Sequence, residues 1–194
     1  RGARSEPLRL LAKALRETGD AAGAEKALRE ALGVSESERG ATHPEVARDL
    51  EDYARFLIDS DRLDEAERLQ RRAAAILAES LGASHVDHLS ALASLGTILL
   101  RRNLAGEAQT TFRRAADGFL ASNEPAPAMS ALTNLMAALR AQGLRAQAKA
   151  AALEAETLAA THSGRGLFDE ATLATLALFT AEMLLEDGAP DRTL

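Results

Sequence analysis

Leucine and alanine return along this chain at spacings of three and four, with charged and polar residues in the gaps. That is the period of a helix with one buried face. Leu8, Leu11, Ala12 and Leu15 set the first stripe, on a helix expected over Ser5 to Glu17, with Ser5 as N-cap and Pro7 in the first turn. Thr18-Gly19-Asp20 breaks it. Ala24, Ala27, Leu28, Ala31 and Leu32 mark a second helix, expected to stop at Gly33. Val34 to Ala41 is polar and reads as a loop. Thr42-His43-Pro44-Glu45 then has the form of a capping box, the Thr hydroxyl taking a backbone N–H while Glu45 reaches back. Val46, Leu50, Tyr53, Ala54 and Leu57 form the next stripe, and Asp59-Ser60-Asp61 the turn. Leu63, Ala66, Leu69, Ala73, Ile76 and Leu77 line a return helix ending at Leu81-Gly82.

The pattern continues. Ser84 to Asp87 repeats the capping signal, and Leu92, Leu95, Gly96 and Leu99 lead out again. Arg102-Asn103 turns the chain, and Leu104, Ala108, Phe112, Ala115 and Phe119 bring it back. Ser122 to Pro127 holds two prolines and is expected to interrupt the helices. A fourth hairpin turns at Gly143, followed by a loop over Thr161 to Gly166. Leu173, Leu176, Ala177, Thr180 and Leu184 point to a ninth helix ending near Asp187-Gly188, and Pro190 to the start of a tenth.

These hairpins are copies of one unit. His43 returns as His85, Leu50 as Leu92, Leu57 as Leu99, Ala66 as Ala108 and Ala73 as Ala115, always at the same interval. A fixed period of this size is the mark of a repeat array. The fourth unit comes slightly early: Leu135, Leu139 and Ala148 follow Leu95, Leu99 and Ala108 at a shorter interval, again the same for all three. Each unit reads large, large, small, large, then a turn residue, then two alanines. The second unit shows it as Leu50, Tyr53, Ala54, Leu57, Asp61, Ala66 and Ala73. The turn residues are Gly19, Asp61, Asn103 and Gly143.

This formula resembles the tetratricopeptide repeat, whose usual period is about 34 residues. The longer unit, with His43-Pro44-Glu45-Val46-Ala47 at its head and Leu81-Gly82 at its tail, is similar to the kinesin light chain type. Met136 departs from the small position of the formula, and Gln70 stands where an aromatic is usual. The resemblance implies an all-α fold, a right-handed α-solenoid of antiparallel hairpins. It also implies one repeat domain over 1–194, with units near 5–33, 42–82, 84–121 and 128–161 and an incomplete fifth over 168–194. Independently of it, a hairpin cannot bury its stripe alone, so units of this kind must stack.

Composition narrows the chemistry. The chain is 46% hydrophobic and 27% charged, which suits a folded domain rather than a disordered one. Aromatics are 3%, so close helix contact through alanine must replace large rings. With no Cys there are no disulfides, thiolate metal sites or thiol nucleophiles, and a reducing, cytoplasmic setting is expected. A net charge of -6 with mixed signs offers no basic field for nucleic acid. No apolar run reaches membrane-spanning length. The chain opens on Arg, so a trimmed piece of a larger polypeptide is expected, and the Ala, Arg and Leu usage suggests a GC-rich bacterial gene.

In solenoids of this kind the outgoing helices line a groove, and residues between the core positions face it. In the first two units these are Arg9, Lys13, Arg16, Arg48, Glu51, Asp52, Arg55 and Asp59. In the next two they are Ser94, Thr97, Arg101, Thr133, Asn134, Ala137 and Arg140. Arg48, Arg55, Ser94, Thr97, Arg101, Thr133, Asn134 and Arg140 are the candidate partner contacts. Arg101, Asn134 and Arg140 could hold a peptide backbone or carboxylate by charge-assisted hydrogen bonds. The Lys and Asn clamp of relatives that bind chaperone tails is matched only at Asn134, so that activity is not expected. His43, His85 and His88 read as cap-region residues rather than metal ligands, and Asp49-Glu51-Asp52 as a solvated face. There is no Gly-x-Ser-x-Gly elbow and no phosphate loop. The expectation is a non-catalytic scaffold that binds a peptide or protein and needs no cofactor. The alternatives are a self-associating structural module, with a possible homo-oligomer, or a regulatory sensor domain of a larger signalling protein.

Overall fold

The capping and stripe signals place helix starts and faces, and the chain follows them closely. A computed structural model describes residues 5–162 and 166–187, with side chains through residue 182. Among these residues the chain forms nine helices and no strand: α1 (Ser5–Glu17), α2 (Ala21–Arg39), α3 (Pro44–Asp59), α4 (Leu63–Leu81), α5 (Val86–Arg101), α6 (Ala105–Ala121), α7 (Pro125–Ala141), α8 (Arg145–Thr161) and α9 (Glu170–Asp187). The expected tenth helix at Pro190 lies outside the described residues. The chain divides into two units after Arg102, the first holding α1–α5 and the second α6–α9.

In the first unit each helix packs on the next, and α1 also touches α3. Tyr53, Phe56, Leu57 and Ile98 close on Ala12, Ala24, Ala27, Leu28, Ala54 and Ala66 in one cluster. In the second unit α7 packs on α6, α8 and α9. Its core is Phe112, Phe119, Met129, Leu132, Leu135 and Met136, all under 2% exposed. Both alanine series are sealed. Ala24, Ala66, Ala108 and Ala148, and Ala31, Ala73, Ala115 and Ala155, are each at most 1% exposed. The four expected turn residues all adopt positive φ: Gly19 at 85°, Asp61 at 56°, Asn103 at 62° and Gly143 at 70°. A left-handed residue after the last helical turn lets its N–H, or the next one, close on the free carbonyls; Asp20 N–H thus reaches Leu15 O at 2.8 Å.

Several expectations need correction. α2 does not stop at Gly33. It runs through it to Arg39, turning Val34 to Arg39 from loop to helix, and Gly40 ends it at φ 88°. A glycine inside a helix costs only about 1 kcal/mol, and the residues after it tolerate helix. The N-caps of α3 and α5 are His43 and His85, not Thr42 and Ser84. Each imidazole Nδ1 accepts a backbone N–H two residues on, from Glu45 at 3.1 Å and Asp87 at 3.2 Å. The helices are interrupted as expected, but only over Ser122 to Glu124. Pro125 and Pro127 lie in the first turn of α7, where a missing N–H costs nothing. His162 closes the end of α8, with Nδ1 3.1 Å from Leu158 O. Among the described side chains of α9, Leu176 and Phe179 are buried and Leu173 and Ala177 are exposed, and the side chain of Leu184 lies outside them.

Because Ala66 and Ala108 are fully buried, Ala66→Asp or Ala108→Asp should cost about 3 kcal/mol or more, from overpacking plus a buried charge. Thermal unfolding of each variant checks this, and an unchanged midpoint would disprove the register.

Candidate functional site

The outgoing helices of the first unit leave two clefts on either side of α3. One, of about 390 Å³, is lined by Arg9, Ala12, Lys13, Arg16, Glu17, Leu28, Asp52 and Arg55, on α1, α2 and α3. The other, of about 140 Å³, is lined by Pro44, Glu45, Arg48, Glu51, Leu77, Asp87 and Ser90, on α3, α4 and α5. Residues expected between the core positions thus come together here: Arg9, Lys13, Arg16, Asp52 and Arg55 in the first cleft, Arg48 and Glu51 in the second.

The first cleft is lined by more basic than acidic side chains, and its arginines are paired. Arg9 reaches Asp49 at 3.3 Å and Asp52 at 3.6 Å, Arg16 pairs with Asp59, and Arg55 meets Asp52 at 3.3 Å. Lys13 and Glu17 lie one turn apart on α1. The second cleft is acidic, with Glu45, Glu51 and Asp87 facing only Arg48, which sits 3.0 Å from Glu45. Burial pushes the Glu51 carboxyl up, and Asp52 and Asp87 add to this against Gln70 and Arg55. Such a surface repels an anionic segment.

The remaining candidates divide by helix. Ser94 and Thr97 are exposed on α5, and the Thr97 hydroxyl donates to Ala93 O at 3.2 Å. Arg101, at the end of α5, donates to Ile58 O at 3.2 Å and reaches Asp61 at 3.4 Å, so it ties α5 to the end of α3. In the second unit Asn134 is exposed on α7, and Thr133 donates to Ser130 O at 2.9 Å. Arg140 pairs with Glu182 at 2.6 Å and lies over the Phe179 ring at 5.3 Å, tying α7 to α9. Arg16 does the same between α1 and α3. The arginines expected to grip a ligand therefore already hold successive outgoing helices together.

A second ladder was missed from the sequence. Glu25 on α2 accepts from Arg62 and from the Tyr53 hydroxyl, each at 2.8 Å, while Arg29 donates to the same hydroxyl. Glu67 on α4 pairs with Arg102 and with Arg71. Gln109 on α6 accepts from Gln142 Nε2 at 2.9 Å. Glu25, Glu67 and Gln109 recur at the full repeat interval, and Arg62, Arg102 and Gln142 at the slightly shorter one. This is one clasp from a return helix to the next turn, ionic twice and an amide pair the third time. Its signal was present as that double spacing. Arg62 holds Glu25 below the usual carboxylate range, aided by Tyr53 and Arg29 against a smaller burial effect.

The junction of α1, α2 and α3 is polar inside. Asp49 is 1% exposed, beside Arg9 and near the hydroxyls of Ser5 and Ser35. It is not the solvated residue expected. Its repeat equivalents, Ala91 and Ala131, are buried alanines. Burial raises the Asp49 carboxyl, which Ser35, Arg9 and Ser5 oppose and Asp52 assists. His88 is also buried, with Nδ1 2.9 Å from Ala74 O. Gln70 fills its aromatic position by bonding Ala91 O at 3.1 Å.

Among known proteins, the tetratricopeptide repeat family matches twice, over residues 49–121 and over residues 8–45. No curated protein sequence matches the chain. Among solved structures it is similar to BtubC (BKLC) from P. vanneervenii, at 21% identity and TM-score 0.74, over 82% of this chain and 65% of that one. The chain thus spans 65% of the length of BtubC. It is similar to a kinesin-light-chain-like protein of Podosopora anserina with nearly identical TPR-like repeats, at 15% identity and TM-score 0.76, over 97% and 98% of the two chains. It is also similar to aspartyl phosphate phosphatase F from Bacillus subtilis, at 13% identity and TM-score 0.76, over 93% of this chain and 45% of that one. At these identities the likenesses show the fold, a TPR-like solenoid class. No helix among the described residues is long and apolar enough to cross a membrane.

The two carboxylates held between helices give opposite signs against pH. Glu25 has a lowered value in the fold, so its stabilisation is present above its unfolded pKa and is lost as pH falls through the folded one. Asp49 has a raised value, so its stabilisation is full in acid and is lost as pH rises through the folded pKa. Glu25→Gln should therefore lower the unfolding midpoint at neutral pH, and Asp49→Asn should raise it. Both differences should close in acid, as the carboxylates protonate. Denaturant unfolding across pH reads both, and a neutral-pH loss for Asp49→Asn would contradict the assignment.

Proposed function

The chain belongs to the tetratricopeptide repeat family, and on that premise we propose that it is a non-catalytic scaffold that binds a peptide or protein partner. The partner would lie on the outgoing helices: along the clefts beside α3 in the first unit and on α7 in the second. Arg48, Arg55, Ser94 and Thr97 would make the contacts on the first unit, and Thr133 and Asn134 on the second. Arg101 and Arg140 would act by holding the outgoing helices in place. The observation that carries this reading is the convergence of Arg9, Lys13, Arg16, Asp52 and Arg55 on one open cleft, although none belongs to the apolar core. Within each unit, packed helices that present polar side chains at repeated spacing suit recognition by many weak contacts. The negative cleft between α3 and α5 supports a partner that is not strongly acidic there.

Selection from a displayed random-peptide library tests this. The selected peptides, measured by fluorescence anisotropy, should bind about tenfold or more weakly to Ser94→Trp or to Arg55→Ala, the loss of one well-placed contact. Leu153→Ser on the exposed side of α8 should leave them unchanged. Peptides indifferent to the α3 and α5 substitutions, or a selection yielding no binder, would refute the reading.

A further inference from the structure

Lys13 and Arg55 hold the same place in the repeat, one on α1 and one on α3, at the full repeat interval. Both are exposed, and both line the cleft between those helices. Further along, the same register holds Thr97 and Ala137, so a cation occupies it only on the two helices that flank this cleft. The other charges there are engaged. Arg9 lies against the buried Asp49 and against Asp52, and Arg16 pairs with Asp59. Asp52 serves both Arg9 and Arg55, so one carboxylate answers two guanidiniums. Lys13 forms no ion pair among the described residues, with Glu17 one turn on included. Below this cationic rim the floor is apolar: Ala12 and Leu28 are 1% and 4% exposed. A carboxylate on a short aliphatic stem matches both layers, its charge at the rim and its methylenes on the floor.

The next cleft has the opposite sign. Glu45, Glu51 and Asp87 line it with Arg48, and Glu51 stands at the register position of Arg9. The two clefts flank α3, so they lie about one helix spacing apart, roughly 8 to 10 Å. An extended segment covers that distance in about three residues at about 3.3 Å each.

We propose that the first unit takes a partner segment with a single acidic side chain, an Asp or Glu held between Lys13 and Arg55, and with no acid about three residues away, where the second cleft would repel it. This rests on the groove reading above and names the partner's chemistry. It separates a lone carboxylate from an acidic run, because the two clefts act on neighbouring positions with opposite sign.

The test uses peptides selected on the whole chain from a displayed random library, made with amidated C-termini and followed by fluorescence anisotropy. They should share one acidic residue, and its amide replacement should weaken binding about tenfold or more. Lys13→Glu should weaken the parent peptides by a similar factor and leave the amide versions unchanged. A peptide with Lys in place of the acid should recover binding to that variant. Lys13 is exposed, so the fold accepts the change, and unchanged helical circular dichroism confirms it. A glutamate scan of the peptide should find one position, about three residues from the acid, where added charge weakens binding, and Asp87→Asn should relieve that loss. Peptides that respond to Ser94→Trp but ignore Lys13→Glu, or that share no acid, overturn this proposal and leave the groove reading standing. So do peptides that bind only with a free C-terminal carboxylate, or a glutamate scan with no such position. A selection without binders removes the groove reading and this proposal with it.

Discussion

Two alanines per hairpin set how closely the helices of this protein can approach. At the crossing points Ala24, Ala66, Ala108 and Ala148, and one turn pair further Ala31, Ala73, Ala115 and Ala155, the side chain is a single methyl with almost no exposed surface. Helix axes meet at about 8 to 10 Å according to the side chains between them, and alanine gives the short end of that range. Everything else follows from that approach. Tyr53, Leu57, Phe112 and Leu135 can then fill the space beside the crossing, and a chain with few aromatics still packs its core. The polar ladders sit outside it. They align the hairpins at their ends and leave the burial to the alanine and leucine rows.

Much of this was legible because it repeats. Leu50, Leu57, Ala66 and Ala73 recur at a fixed interval, and the left-handed residues Gly19, Asp61, Asn103 and Gly143 recur with them. A pattern written several times averages out local ambiguity. Where a feature occurs once, local rules misled. Gly33 looked like a stop, but a single helical glycine is a small cost beside the packing of Ala31 and Ser35 on the same helix. Pro125 and Pro127 marked a real break but were placed inside it, whereas a first-turn proline fits the start of the next helix. Thr42 looked like the cap, whereas the imidazole of His43 is placed to accept the Glu45 N–H.

The candidate site was legible in outline only. The sequence pattern assigns residues to a face, and that assignment put Arg9, Lys13, Arg16, Asp52 and Arg55 in one cleft. It does not say which charges are already spent. Arg101 and Arg140 each pair across a whole repeat, contacts that exist only once the outgoing helices lie side by side. Asp49 was hidden for a related reason. On a helical wheel it neighbours solvated acids, but the arrival of α1 and α2 buries it next to Arg9. The first junction is therefore polar at Asp49, where the equivalent residues further along are Ala91 and Ala131, so the hairpins share one backbone plan with different interiors. The proposed partner would have the part of the outgoing helices that these internal pairs do not occupy.

The most direct test of alanine setting the helix approach is a crystallographic measurement of the axis separation where α4 crosses its neighbour at Ala66. A separation of about 8 Å is expected there. A separation of about 10 Å, with solvent or a displaced large side chain between the helices, would contradict it.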